Sequence, residues 1–314
     1  MLSEKKWSYR LRVMLFFLLC TVLSFAVRTC SYNREAANLA LTIGDAKPLW
    51  HGNFYRNRPA SASWGDMLPT PRPNFVPYTI ESAMMYAYAS DIAQGKGIPA
   101  RDERLVYLPE TAPYAQMNMA LEWFLGWGWR LKNAIVPDPP PTKRQALFQD
   151  HPHMAFWMST QLRFWASLTS GFVFLWLIVL GCPKPLALFG GLLHAVALAA
   201  VARSTGQDFV RGEFCIPLIM ASMTLAYSLY RKKSIIQYIL LFICSFLAFV
   251  SWDLCQMLFG IWTCCELLRF ILGKPMTAER RNVWIVITLA IWLNALFVPF
   301  NVTYELIRSS LVCV

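Results

Sequence analysis

Charged side chains are scarce in this chain of 314 residues: Asp, Glu, Lys and Arg together make up 15%, and the acids number 18. A soluble domain carries about 25% charged residues. With 56% hydrophobic residues and a mean hydropathy of +0.40, the chain is expected to use lipid as its solvent rather than close a core against water. The same composition excludes disorder, collagen-like repeats and coiled coils. Internal repeats are absent. So are a Gly-rich phosphate loop, a G-x-S-x-G elbow and an H-E-x-x-H pair, which removes three common enzyme signatures. There is no C-x-x-C and no Cys/His cluster. The nine cysteines therefore read as small apolar residues, not a disulfide frame or a zinc site.

What is abundant is aromatic and basic. Aromatics reach 15%, with 13 Trp and 21 Phe, and the net charge is +11. In a membrane chain this surplus is the signature of Lys and Arg held in cytoplasmic loops, so no nucleic-acid partner is inferred. Crossing the hydrocarbon core takes about 20 apolar residues. The first apolar run, Val13–Val27, follows Lys5, Lys6, Arg10 and Arg12 and has no A-x-A cleavage site after it, so it is expected to be a retained anchor. Further runs lie near 156–180, 186–202, 214–230, 235–250, 254–272 and 283–300. The expected fold is an all-α polytopic membrane protein of about seven transmembrane helices. Its parts are residues 1–28 (cytoplasmic N-terminus and first span), an external first loop over 29–155, and six spans with short loops over 156–314.

Orientation follows from the short loops. With the N-terminus in the cytoplasm, twelve basic residues fall inside: Lys5, Lys6, Arg10, Arg12, Lys184, Arg231, Lys232, Lys233, Arg269, Lys274, Arg280 and Arg281. Only Arg203, Arg211 and Arg308 fall in short external segments. A bacterial cytoplasmic membrane is the expected location. The first loop holds 14 of the 19 prolines, which favours extended, solvated backbone. Two helical patches interrupt it. Thr79–Gln94 places Glu81, Met85, Tyr88 and Ile92 on one face and stops at Gly95 and Gly97. Ala115–Leu131 is rich in Trp and Met, as in an amphipathic helix lying at the membrane surface.

Charge near a membrane is costly and tends to mark function. Four acids fall on the external side. Glu81 opens the first-loop helix, Asp208 and Glu213 lie between the third and fourth spans, and Asp253 lies in the turn between the fifth and sixth. Converging carboxylates suit a hard divalent cation such as Mg²⁺ or Mn²⁺, and Arg203 and Arg211 beside them suit phosphate oxygens. Acids and arginines adjacent in a loop serve equally well as plain ion pairs.

Residues Tyr78–Pro99, YTIESAMMYAYASDIAQGKGIP, resemble the first external loop of oligosaccharyltransferase catalytic subunits, in the GT-C class of membrane glycosyltransferases. There an acid opens a helix, a Tyr-rich stretch follows, a second Asp comes ten residues later and a Gly-rich exit leads to Ile-Pro. Glu81 and Asp91 have that spacing. Residues Ala202–Leu218, ARSTGQDFVRGEFCIPL, resemble the second external loop, where a paired acid motif precedes an apolar span. The resemblance covers about the first 250 residues. It implies transfer of a glycan from a polyprenyl-phosphate carrier to a protein or glycan acceptor on the external face. It also implies a divalent cation held by Glu81, Asp208 and Glu213; apart from the resemblance, Arg203, Arg211 and Asp253 are expected to bind substrate.

The chain departs from the family in three ways. Glu81 stands where Asp is usual. The D-x-D pair is replaced by Asp208-x4-Glu213 with Arg211 inside it. The sequence given has no WWDYG-type motif. A truncated or non-catalytic membrane protein of the same fold is therefore the alternative. A transporter ranks third, because Pro217 and Pro299 interrupt spans but no matching halves exist. Other polar residues have structural readings. His194 suits a hydrogen bond to a neighbouring helix, His151 and His153 suit solvent, Asp91 suits a pairing or capping role, and Asp253 also suits a helix cap. The sequon Asn301-Val302-Thr303 lies too near a span for modification.

Overall fold

A computed structural model describes residues 2–45, 80–102, 113, 117–138, 152–303 and 305–306. Among these residues the chain is helical and contains no strand. In chain order the helices are α1 (Leu2–Asp45), α2 (Ile80–Ala93), α3 (Ala120–Ile135), α4 (Pro152–Leu180), α5 (Lys184–Val196), α6 (Leu198–Val201), α7 (Arg211–Leu229), α8 (Ile235–Ser251), α9 (Cys255–Ile271), α10 (Ala278–Phe297) and α11 (Pro299–Thr303). Among the described residues three stretches are long and apolar enough to cross a membrane: Tyr9–Arg34 in α1, His153–Leu180 in α4 and Arg211–Leu229 in α7. Two shorter apolar helices, α5 and α8, stand beside them.

Two expected spans are divided. The run 186–202 breaks at Ala197, whose ψ of 124° is extended, leaving α5 at 13 residues. At 1.5 Å per residue that helix is about 20 Å long, short of the roughly 30 Å hydrocarbon core. The run 283–300 ends at Phe297, because Pro299 holds Val298 out of the helical region (φ −88°, ψ 117°).

Packing follows the apolar faces. α1 lies against α4 and α5, α7 against α4 and α8, and α8 against α10. Leu162, Phe214, Leu218, Phe249, Phe259 and Ile287 belong to one buried core. Much of the apolar surface faces outward instead: Leu15 and Val22 of α1, Ile236 of α8 and Leu268 of α9 are all exposed. A water-soluble fold would not leave such faces uncovered on so many helices.

The two ends of the bundle differ in chemistry. At one end Lys184 lies 4.1 Å over the Tyr9 ring, Arg280 lies 4.1 Å over Tyr230, and Lys233 pairs with Glu279 at 3.3 Å. Lys184, Lys233 and Arg280, three of the basic residues counted as cytoplasmic in sequence, are held in these contacts. The other end carries the segment 202–210, the first turn of α7, the α8–α9 turn and the pair α2–α3.

That pair is built by small residues. Gly95 and Gly97 adopt φ of +83° and +71°, and Lys96 N–H donates to Asp91 O at 2.9 Å, so α2 ends in left-handed backbone. On α3, a Cβ at Gly126 would come within 2.6 Å of Ile92 and 2.8 Å of Ala89 O, so only glycine permits this approach. The opposite face of α3 presents Trp127, Leu131 and Ile135 outward, with Arg130 4.5 Å over Trp127. An apolar stripe flanked by cations over indoles is the pattern of a helix lying along a membrane surface.

Candidate functional site

The segment between α6 and α7 holds the acids at that end. Gly206, with φ of +88°, is pressed so closely onto α4 that an added Cβ would lie 2.5 Å from Ser159 O and 3.1 Å from Arg163 Cγ. Phe209 N–H then donates to Ser82 Oγ on α2 at 2.7 Å, and both residues are buried. This hydrogen bond joins the residue after Glu81 to the residue after Asp208. The backbone at residues 81–82 is thereby tied to the segment that leads into Glu213. The Glu81 side chain itself lies outside the described residues.

Glu213 sits in the first turn of α7 and is 7% exposed. Neither of its carboxylate oxygens has a hydrogen-bond partner among the described residues. The charges of Arg28, Asp208 and Arg163 all act on it. Pro217 lacks the N–H that would bond to the Glu213 carbonyl, so the turn carrying this acid is less tightly tied than an ordinary helix start. Buried Thr205 Oγ1 also lacks a hydrogen-bond partner among the described residues. Buried polar groups are nearly always satisfied, so this cluster calls for water or a ligand.

Two arginines that the sequence reading passed over face this acid. Arg28 on α1 is 1% exposed. Its Nε donates to Ser204 Oγ at 2.8 Å and its Nη2 to Ala200 O at 2.9 Å, while its Nη1 reaches Ser24 Oγ. It fastens the segment after α6 to the first helix. Arg163 on α4 is 2% exposed, stacks over Tyr32 at 4.1 Å and donates to Thr160 Oγ1 at 2.9 Å. Arg28 closes the first apolar run. Arg163 is the charge inside the second run, the feature that marks function in a span.

The Arg28 cluster continues through hydroxyl groups. Ser170 Oγ donates to Ser24 Oγ at 2.9 Å and lies 2.9 Å from His194 Nδ1. His194 therefore makes the interhelical hydrogen bond expected of it. Asp91 has Lys96 at 3.9 Å.

The remaining expected residues are placed separately. Arg211 is engaged by a third acid, Glu122 of α3, with Nε at 3.1 Å and Nη2 at 2.7 Å from the same oxygen. The Glu122 side chain is fully buried. Burial raises its pKa above the ordinary carboxylate value, although Arg211 pulls the other way. Arg203 is exposed in the turn after α6. Asp253 is exposed too, and α9 begins after Leu254 with no side-chain cap, so the capping role considered for Asp253 is not the one observed. Its neighbour Trp252 packs on Gly212, which brings the α8–α9 turn beside the start of α7. His151 lies outside the described residues, and Asn301 of the sequon is fully buried.

The donor set is of the type a hard divalent cation takes: carboxylate oxygens, two of them without hydrogen-bond partners among the described residues. Among the described residues no group of three His, Cys, Asp or Glu side chains comes together as a metal cage. The charges of Asp208 and Glu213 are formally balanced by Arg28 and Arg163. A bare dication would upset that balance, whereas a dication entering with a diphosphate would not. No protein-family model matches the chain, and no curated protein matches it.

Proposed function

We propose that this chain is a membrane glycosyltransferase of the oligosaccharyltransferase type, taking a glycan from a polyprenyl-phosphate carrier at the external face of a bacterial cytoplasmic membrane. In this reading α1, α4, the broken pair α5–α6, α7, α8, α9 and α10 supply the seven spans, with the basic end in the cytoplasm. α2 and α3 lie on the outer surface. The observation that carries the reading is the Phe209–Ser82 hydrogen bond, which ties the start of the first-loop helix to the segment holding Asp208 and leading to buried Glu213.

The residues divide the work by charge. Glu81, Asp208 and Glu213 hold a divalent cation, which supplies charge neutralisation as phosphate departs. Arg28 and Arg163 set positive charge beside the acids, and Arg28 fixes the segment after α6. Arg203, exposed at the rim, reaches phosphate oxygens, and Asp253 faces the acceptor side. Arg211 acts at one remove, locking α3 onto α7 through Glu122. The supporting experiment is transfer from a polyprenyl-diphosphate-linked sugar in membranes. E81Q and E213Q should each lose transfer while reaching the membrane normally. Full transfer by either variant would overturn the assignment.

A second reading is a non-catalytic relative with the same helices. The charges of two buried arginines beside Asp208 and Glu213 favour it, because they offset the two acids without an ion. Wild-type protein that binds no divalent cation, with or without the lipid donor, would select this reading.

A further inference from the structure

The basic end of the bundle, far along the helices from the acids, carries a groove of its own. Between α9 and α10 lies a cavity of about 260 Å³ whose walls include Leu267, Phe270, Trp284 and Ile291. Glu266 closes it on one side and is 8% exposed. That carboxylate accepts from Arg269 Nε at 3.1 Å and from Arg280 Nη1 at 2.5 Å. Two guanidinium groups against one acid leave a positive surplus at the groove. Arg280 is further fixed by the Tyr230 ring 4.1 Å away.

The surroundings extend that surplus. Lys233, Lys274 and Arg281 are exposed here, Glu279 is already paired with Lys233, and Arg231, with Lys232 next to it, lies off toward Gly181 at the α4–α5 turn. Met276 lines the mouth, on the short segment that also carries Lys274. In the wall, Trp284 Nε1 is buried and has no hydrogen-bond partner among the described residues. An indole N–H without a partner seeks an acceptor oxygen.

We propose that this groove binds an anionic phospholipid from the leaflet at that end. An uncharged groove would accept any acyl chain, and a basic surface alone would attract anions without holding a tail. Here both occur together. The phosphate meets Arg269, Arg280 and the Lys274–Arg281 rim, an ester oxygen accepts from Trp284, and the chain runs along Leu267, Phe270 and Ile291. Basic pockets between membrane helices hold anionic headgroups on the same physical grounds. The site is independent of the glycosyltransferase reading and stands or falls without it.

The test is native mass spectrometry of the full chain in detergent, titrated with dioleoyl phosphatidylglycerol or dioleoyl phosphatidylcholine. One phosphatidylglycerol should be retained at concentrations where phosphatidylcholine is lost. K274Q/R281Q changes exposed residues only and should weaken phosphatidylglycerol binding about thirty-fold, the usual effect of removing two cations near an anionic lipid. R231Q/K232Q removes the same charge away from the mouth and should leave that binding unchanged. T288W fills the groove and should abolish it. Equal retention of the two lipids, or equal losses in the two double variants, would mean diffuse charge attraction and would overturn the proposal.

Discussion

Replacing Gly206 by alanine tests the placement of the acids most simply. Two separate penalties meet at this position. Its φ of +88° is a conformation that side chains with a Cβ adopt at a cost of about 1–2 kcal/mol. The new Cβ would also lie 2.5 Å from Ser159 O, a backbone atom of α4 that cannot rotate away. Relieving such overlap costs roughly 1–3 kcal/mol through local displacement. The expected loss is therefore about 2–5 kcal/mol, summed from these two ranges. Gly273 supplies the control: its φ is +76°, but nothing lies within 4 Å of an added Cβ, so G273A should lose only the conformational part. Reversible unfolding of both variants in mixed detergent micelles measures the difference. Because the displaced segment carries Asp208, G206A should lose transfer as well, whereas G273A should keep it. Equal stabilities for G206A and G273A would refute the close packing of this segment on α4.

Two further outcomes follow from buried contacts. S82A removes the acceptor of the Phe209 amide and should cost about 1–3 kcal/mol, with faster hydrogen exchange at that amide. R211Q strands a fully buried Glu122 and should cost about 3–5 kcal/mol, most of it recovered in R211Q/E122Q. Glu122 also sets a pH dependence. Its folded pKa is raised above 4.5 by burial, so the folded state holds this proton more tightly than the unfolded state does. Stability from this site is therefore greatest at low pH and falls as pH rises from about 4.5 through the raised value. Unfolding measured against pH should show that falling limb in wild type and lose it in E122Q.

The helices were legible because their signals are local. The apolar runs, Gly95, Gly97 and the Trp-rich patch fix α2, α3 and the long helices with little tertiary input. Breaks at Ala197 and Val298 were less visible, because hydropathy does not register them. Pro299 gave one of them away, while Ala197 carries no such mark. The candidate site was half legible. Glu213 and Asp208 stand out as acids beside apolar runs, but their neighbours come from α1 and α4, more than 40 residues away in sequence. Neither Arg28, at the end of the first apolar run, nor Arg163, inside the second, was singled out in sequence. Glu122 was hidden inside an aromatic helix, and its pairing turned Arg211 from an expected phosphate ligand into a structural clasp. Charges inside apolar segments were the available signal, and their partners could be found only in three dimensions.

Mn²⁺ binding, followed by the electron paramagnetic resonance signal of the free ion in the presence of a polyprenyl diphosphate, tests the central assignment most directly. Wild type should bind one Mn²⁺, and E81Q, D208N and E213Q should each weaken that binding. Unchanged binding in E81Q or E213Q would contradict a shared cation site of these three acids.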